Sequence, residues 1–424
     1  MLIYLLYNFA LIAAYPLFLI YLTIQAFKSE KFSGTMKERF GFYGGAGDRL
    51  AGGVIWLHAV SVGEAVGAAP LIRKLLEGES VSLVVSTATK GGKQILEKSF
   101  GDAITTAFSP LDFPWVVRRA LKAFRPKALI LMETEIWPNL ISACNRRGIP
   151  VLLLNGRVSD RMLKAGGPVR AMYRRLFTMM RAIGMQTERD AERIKELGAP
   201  PAAVHVVGNM KYDAAPAGAD VEKTEELRRL LRPENGPIFV AGSTHPGEEE
   251  IVLDVFQKLR DVEKTLRLVI APRHIERAGE ALEIIKKRGW DTCLRSTMEA
   301  GGGASVIVLD TIGELRCLYS LATMCFVGGS LVERGGHNVL EPAACGKAVF
   351  YGPYMMNFTE SAKVLEDGGG GIPVKNSDEL AMRGAEYIAN AGLRRKLDDN
   401  SLRTVLQNAG AAARAYDLFK ELIK

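Results

Sequence analysis

Short apolar runs alternate with longer amphipathic stretches along most of this chain, and that alternation constrains the fold more than any other feature. Runs of four or five residues, such as VIWLH at Val54–His58, have the length of strands. The stretches between them are long enough to cross back over a sheet as helices, which is how parallel strands are connected. Strands covered by helices on both faces read as continuous apolar runs. The expected fold class is therefore α/β, built from doubly wound parallel sheets. In the first half the strands are expected at Val54–His58, Ser82–Ser86, Ala128–Met132, Val151–Leu154, Ala182–Met185 and Val204–Val207. In the second half they are expected at Ile238–Ala241, Arg267–Ile270, Ser305–Val308, Met324–Val327 and Ala348–Tyr351.

A length of 424 residues suits two or three domains. The boundary is expected after GNMKYD, where DAAPAGAD opens a linker over residues 214–234. This leaves an N-terminal Rossmann-like domain over 28–213 and a C-terminal one over 235–424 that includes the terminal helices. VIWLHAVSVGEAVGAAPLIRKL and PIFVAGSTHPGEEEIVLDVFQKL echo each other weakly. Each runs strand, small-residue loop, Gly-Glu, amphipathic helix. Two such domains in series are expected to face a cleft, with ligands at the carboxyl ends of the strands. Gly301–Gly303 and Gly368–Gly371 read as surface turns.

Residues 1–27 carry no charged side chain. As a helix they would span roughly 40 Å at ~1.5 Å per residue, against about 30 Å of bilayer hydrocarbon. Neither a basic start nor a small-residue cleavage site marks a removable signal. A transmembrane or membrane-anchoring helix is expected, and one lying in the interface fits as well. Lys28, Lys31, Lys37 and Arg39 follow, mixed with Glu30 and Glu38. The positive-inside rule then puts the rest of the chain in the cytoplasm, against the inner membrane.

Lys and Arg number 55 against 47 Asp and Glu, for a net charge of +8. This mild excess fits an anionic ligand or an acidic membrane surface. No RNA-binding, zinc-finger or helix-turn-helix signature points to nucleic acid. Five scattered cysteines, none in C-x-x-C spacing, argue against a disulfide framework and for a reducing compartment. The chain has no D-x-D pair, no H-E-x-x-H, no G-x-x-x-x-G-K-[ST] and no G-x-S-x-G. No metal ligand set and no cofactor motif is expected. Phosphate would be held by helix amino-termini and basic side chains.

Four stretches carry chemistry. In WLHAVSVGEA, Glu64 follows a strand and opens a helix expected over 65–76, where a carboxylate can serve as a general base or simply favour the helix dipole. LILMETEIWPNL ends a buried strand on Glu133 and Glu135, with Trp137 beside them, and NGRVSDR adds Arg157, Ser159 and Arg161. GNMKYD places Lys211 at the domain junction, where a cation could neutralise a leaving phosphate. The fourth stretch runs through AGSTHPGEEE, APRH, TIGELRCLY and FVGGSLVERGGHNVLEPAACGK. It offers the polar loop Ser243, Thr244 and His245, then Arg273, and a glycine-rich turn leading to a helix near Val339. The N–H groups of such a helix suit phosphate, and Glu341 can accept ribose hydroxyls. Met172, Leu176, Phe177, Met179 and Met180, interleaved with Arg170, Arg174, Arg175 and Arg181, form a basic–apolar helix whose exposed side could meet a membrane or whose apolar side could face the core.

N-x-x-E-P-x-x-x-G-K after a glycine-rich turn resembles the nucleotide-binding end of GT-B glycosyltransferases. The ordered set LHAVSVGE, METEIWPN, NGRVSDR, GNMKYD, GSTHPGEE, APRH and GGHNVLEPA, behind an N-terminal anchor, resembles the 3-deoxy-D-manno-octulosonic acid (Kdo) transferases of lipopolysaccharide synthesis, over essentially the whole chain. The resemblance implies a GT-B enzyme that moves Kdo from CMP-Kdo to a lipid A precursor at the cytoplasmic face of the inner membrane. Inversion without a metal or cofactor is implied too. Glu64 matches the family's general base. Glu133 or Glu135, with Glu133 favoured, and Lys211 match positions that support the transition state. Pro272 and Arg273, the turn Ile312, Gly313 and Glu314, and the run Asn338, Val339, Leu340 and Glu341 match the CMP site. A UDP-sugar transferase or epimerase of the same fold could use the same Glu-Pro helix, and a membrane-tethered nucleotide-binding module without catalysis is an alternative from a different class.

Overall fold

A computed structural model describes residues 4–15, 35–44, 53–78, 82–215, 220–298 and 303–423. It divides into two compact units, 1–214 with 409–424, and 215–408.

The first unit holds a seven-stranded parallel sheet in the order β3-β2-β1-β4-β5-β6-β7. Its strands are β1 (Val54–His58), β2 (Ser82–Thr87), β3 (Thr105–Phe108), β4 (Pro126–Met132), β5 (Val151–Gly156), β6 (Ala182–Met185) and β7 (Val204–Val206). β1 is buried along its whole length. Its pleat sends Val54 and Trp56 into one core and Ile55 and Leu57 into the other, so both sheet faces are covered. The sequence reading lacked β3, whose Thr105–Thr106 start is polar and only half-buried.

The second unit repeats the plan in the order β10-β11-β9-β8-β12-β13-β14. Its strands are β8 (Ile238–Thr244), β9 (Arg267–Pro272), β10 (Thr292–Leu294), β11 (Val306–Val308), β12 (Met324–Val327), β13 (Val349–Tyr351) and β14 (Gly371–Pro373). Phe239 and Ala241 enter one core, Ile238 and Val240 the other. β10 and β14 are edge strands of three residues, too short to leave an apolar run. Gly371, read as part of a turn, begins β14. The turn expected at Gly301–Gly303 lies mostly outside the described residues.

Two expected boundaries are corrected. Within the expected linker 214–234, Val221–Leu231 is a helix capped by Asp220 that buries Leu227 and Leu231 in the second unit. The expected second domain, 235–424, loses its end. Helix Ala411–Ile423 packs Ala411, Ala412, Ala415 and Phe419 against Leu71, Leu75 and Met210 in the first unit. Asp213 receives the N–H groups of Gly410 and Ala412, at 2.5 and 3.0 Å, and Arg414 Nε donates to the Val207 carbonyl at 2.8 Å. An apolar stripe shows that a helix is buried, not which sheet buries it.

Residues 4–15 form a helix, and residues 1–3 and 16–27 of the expected anchor lie outside the described residues. Among the described residues no helix is long and apolar enough to cross a membrane. The basic–apolar helix is Gly167–Phe177. It turns Leu176 and Phe177 into the core and leaves Arg174 and Arg175 exposed.

Candidate active site

In the first unit the candidate residues follow successive strand ends across the sheet. Glu64 comes after β1, Glu133 after β4, Arg157 after β5, Gln186 after β6 and Lys211 after β7. These are the carboxyl ends of parallel strands, where backbone gives way to loops free to carry function.

Glu64 sits in the first turn of helix Val62–Gly78 and is 8% exposed. Oε2 accepts the Val60 N–H and Oε1 the Ser61 hydroxyl, both at 2.9 Å. The Ser61 hydroxyl oxygen also accepts the Glu64 N–H at 3.2 Å. Burial pushes the carboxyl up to about 7, and the charges of Glu135 and Glu133 add to the rise against the two hydrogen bonds. A carboxyl held there divides itself between acid and base near neutral pH.

Glu133 has a left-handed backbone, φ +52°, and is 5% exposed. Its N–H is held by the Leu154 carbonyl at 3.0 Å. Arg157 Nε lies 3.1 Å from one carboxylate oxygen and Lys211 Nζ 3.9 Å from the other. Glu135 differs. Burial raises its carboxyl, and the Trp137 indole N–H donates to it at 2.6 Å. Trp137 is braced in turn by an edge-to-face contact with the buried His58.

Sequence reading missed the frame beneath Lys211. Asn155, also left-handed at φ +55°, accepts the Met210 N–H on its side-chain oxygen at 3.0 Å. Gln186 donates to the Asn155 carbonyl and accepts from Asn209, both at 2.9 Å. Asn209 accepts the Lys211 N–H at 3.0 Å. A buried amide chain of this kind fixes the lysine's backbone rather than its ammonium. Asn155 and Asn209 stood inside quoted motifs, whereas Gln186 has no sequence signal.

In the second unit the polar groups gather at the ends of β8, β9 and β12. Glu248 is fully buried. It accepts the N–H groups of Gly329, Ser330 and Leu331 at 2.6, 3.1 and 3.0 Å, and that of His245 at 3.2 Å. One carboxylate thus ties the loop after β8 to the glycine turn after β12. A side chain at Gly328 would meet the Ser243 carbonyl at 2.6 Å and Glu248 at 2.7 Å, which is why glycine stands there. Glu249 receives Thr244 and two nitrogens of Arg277.

His245 and His337 stack with their Nε2 atoms 2.8 Å apart, and His274 stands edge-on to His245. Burial lowers the His337 imidazole to about 4, helped by Arg273, His245 and His274. Burial and then Arg334 lower His245. A cluster in which cations suppress one another is one that an anion would relieve. His245 was expected in a polar loop, but nothing in the spacing of His245, His274 and His337 along the chain shows that the three meet.

The predicted nucleotide residues divide. Arg273 is exposed and close enough to Glu341 and His337 to act on both charges. Pro272 ends β9. Asn338 donates to Glu341 at 3.1 Å and accepts the Leu340 N–H at 3.1 Å, with Val339 buried behind. Burial raises the Glu341 carboxyl. Ile312 is 74% exposed and Gly313 is left-handed at φ +90°. Glu314 turns inward. Its carboxylate takes Arg295 at 3.1 Å and Thr311 at 2.6 Å.

The family model of 3-deoxy-D-manno-octulosonic-acid transferase (kdotransferase) matches residues 34–214. A 3-deoxy-D-manno-octulosonic acid transferase of Haemophilus influenzae is 34% identical over 421 residues, 99% of this chain and 98% of that protein. One from Bordetella pertussis is 30% identical over 394 residues, 90% of each chain. Among solved structures, UDP-GlcNAc 2-epimerase from Neisseria meningitidis, bound to UDP-GlcNAc, is similar with a TM-score of 0.59 at 15% identity, covering 87% of this chain and all of that one. That last likeness is one of fold alone.

Proposed function

The chain belongs to the family of 3-deoxy-D-manno-octulosonic acid transferases, and from that premise we propose that it moves Kdo from CMP-Kdo to a lipid A precursor, as an inverting GT-B enzyme of lipopolysaccharide synthesis. The observation that carries this reading is Glu64, a buried carboxyl raised to about 7 within the field of Glu133 and Glu135.

Glu64 takes the proton of the acceptor's sugar hydroxyl as that oxygen attacks the anomeric carbon of Kdo. The bond from that carbon to the CMP phosphate oxygen breaks, and CMP leaves with the electron pair. A base so placed is worth roughly 100- to 10,000-fold. Lys211, steadied through Glu133, offers positive charge to the reacting centre. Arg273 and the histidine trio receive the phosphate, and Asn338 and Glu341 the ribose. Basic side chains of this number can meet phosphate charge without a divalent cation. Pro272, Val339 and Leu340 shape the backbone beneath them. Ile312 and Gly313 give the base an apolar edge, while Glu314, spent on Arg295, serves that turn through its backbone.

The reading includes attachment to the inner membrane with both units on the cytoplasmic side. Leu5, Leu6, Phe9 and Ile12 are each more than half exposed on the N-terminal helix, which suits a helix lying in a lipid surface.

The test is incubation of the full chain with CMP-Kdo and a lipid A precursor, in detergent and EDTA, followed by mass analysis of the lipid. A mass increase of one or more Kdo units is expected, with CMP and not UDP as the competing nucleotide. Glu64→Ala should bind CMP as before and lose transfer. An unmodified lipid, or competition by UDP alone, would overturn the assignment.

A further inference from the structure

The N-terminal helix, residues 4–15, is fastened to the first unit by polar contacts. Tyr4 donates its hydroxyl to the Asn139 side-chain oxygen, Tyr7 donates to Asp112 at 2.9 Å, and the Asn139 amide donates to Asn8 at 2.9 Å. Asp112 also accepts the N–H groups of Asn139 and Leu140, both at 2.9 Å. Its carboxylate therefore serves the start of helix Pro138–Asn145 and the N-terminal helix together.

Beside these contacts the helix does not close on the unit. A cavity of about 400 Å³ remains, with Leu11 and Ala14 on one side and Leu111, Phe113, Ile136 and Trp137 on the other. That volume lies within the ~300–1,000 Å³ of ordinary ligand sites. Among the described residues no cation lines it, and the one carboxylate among them, Asp112, already has three donors. A phosphate or sugar headgroup would find nothing to neutralise it there, so the charge pattern selects an uncharged, apolar occupant. Two further features say where that occupant comes from. Trp137, one wall of the cavity, is bonded through its indole N–H to Glu135, so the cavity and the acid cluster share a residue. Tyr4, Tyr7, Leu11 and Ala14 recur at helical spacing on the inner face, while Leu5, Phe9 and Ile12 are exposed off that face. The same helix thus walls the cavity and offers an apolar surface to lipid.

We propose that this cavity holds a hydrocarbon chain of the lipid acceptor, placing the acceptor's sugar by its tail. The assignment rests on the lipid-acceptor reading above and adds a subsite to it. Ala14 lines the cavity and is itself exposed, so Ala14→Trp fills the space without displacing a buried side chain. Its kcat/KM for an acylated lipid A precursor should fall at least tenfold, while that for the deacylated sugar phosphate stays at the wild-type value. Equal losses on both acceptors, or none on either, would overturn the subsite. A second measurement does not depend on turnover. An acceptor bearing a diazirine at a chain terminus, irradiated with the full wild-type chain, should label Leu11, Phe113 or Trp137, and Ala14→Trp should remove that label. Labelling confined to other residues would defeat the proposal. Labelling here by a wild-type chain that transfers nothing would leave the cavity assigned and defeat the transfer reading instead.

Discussion

Lys211 Nζ lies 3.9 Å from Glu133 Oε1, while Arg157 holds the other oxygen of the same carboxylate at 3.1 Å. Glu133 therefore keeps a cation when Lys211 is removed, and the fold should tolerate the loss. Lys211→Ala is expected to lower the transfer rate by roughly 100- to 1,000-fold, the range for loss of one preorganised charge. CMP affinity, measured by calorimetry, and thermal stability should stay near wild type. Lys211→Arg should recover part of the rate, since a cation again faces Glu133.

The raised Glu64 carboxyl predicts both a pH profile and a stability change. A base must be ionised, so transfer should climb with pH and level off above about 7, the value to which burial pushes this group from an ordinary 4.5. Glu64→Gln should flatten that limb while costing roughly 100- to 10,000-fold in rate. The stability sign follows from linkage. The folded pKa lies above the unfolded one, so the protonated form is favoured by folding. That contribution is complete below about 4.5 and is lost as pH rises through about 7. Glutamine, uncharged at every pH, retains it. Its oxygen can still accept the Val60 N–H and its NH₂ can donate to Ser61. The variant should melt higher than wild type at pH 8 and at the same temperature at pH 4.

The pairing of Gly63-Glu64 with Gly247-Glu248 shows where sequence reading reached and where it stopped. Both dipeptides follow the first strand, in chain order, of a parallel sheet and stand at the start of the helix after it, and the repeated pattern disclosed that much. Pattern could not separate the two acids. Glu64 spends its carboxylate on one backbone N–H and one hydroxyl, whereas Glu248 spends its own on four N–H groups, three of them about eighty residues away. Glu314 illustrates the same limit, because Arg295 lies in a segment with no motif to advertise it. Strands of four or more apolar residues were legible, since a central strand buries both faces. The edge strands β3, β10 and β14 were not, the first polar at its start and the other two only three residues long, whereas the short edge strand β7 was expected at Val204–Val207. The destination of the C-terminal helix was not legible either, because its alanine-rich stripe fits either sheet.

Removing the Glu248 carboxylate should dismantle the glycine turn. Glu248→Ala would leave four backbone donors unpaired, each costing on the order of 1–3 kcal/mol when buried. That approaches the whole stability of a typical domain, about 5–15 kcal/mol. Gly328→Ala attacks the same turn by crowding, with its new methyl 2.6 Å from the Ser243 carbonyl. Both variants should lower the melting temperature by several degrees or more and weaken CMP binding at least tenfold. The Glu64 network, lying in the other unit, should keep its pH signature in whatever activity remains. A variant at either position with wild-type stability and CMP affinity would show that the turn does not depend on these contacts.

Truncation after Asn408 removes the helix that the chain returns to the first unit. The deletion exposes Leu71, Leu75 and Met210, and takes two N–H donors from Asp213, two residues beyond Lys211. The second unit, 215–408, keeps its own cores intact. The truncated chain should therefore bind CMP with wild-type affinity while transfer is lost. Hydrogen exchange should accelerate in β5, β6 and the Lys211–Ala214 turn, leaving β8 and β12 protected. Faster exchange in β8 and β12 instead would mean that the terminal helix supports the second sheet, contrary to its packing on Met210 and Val207.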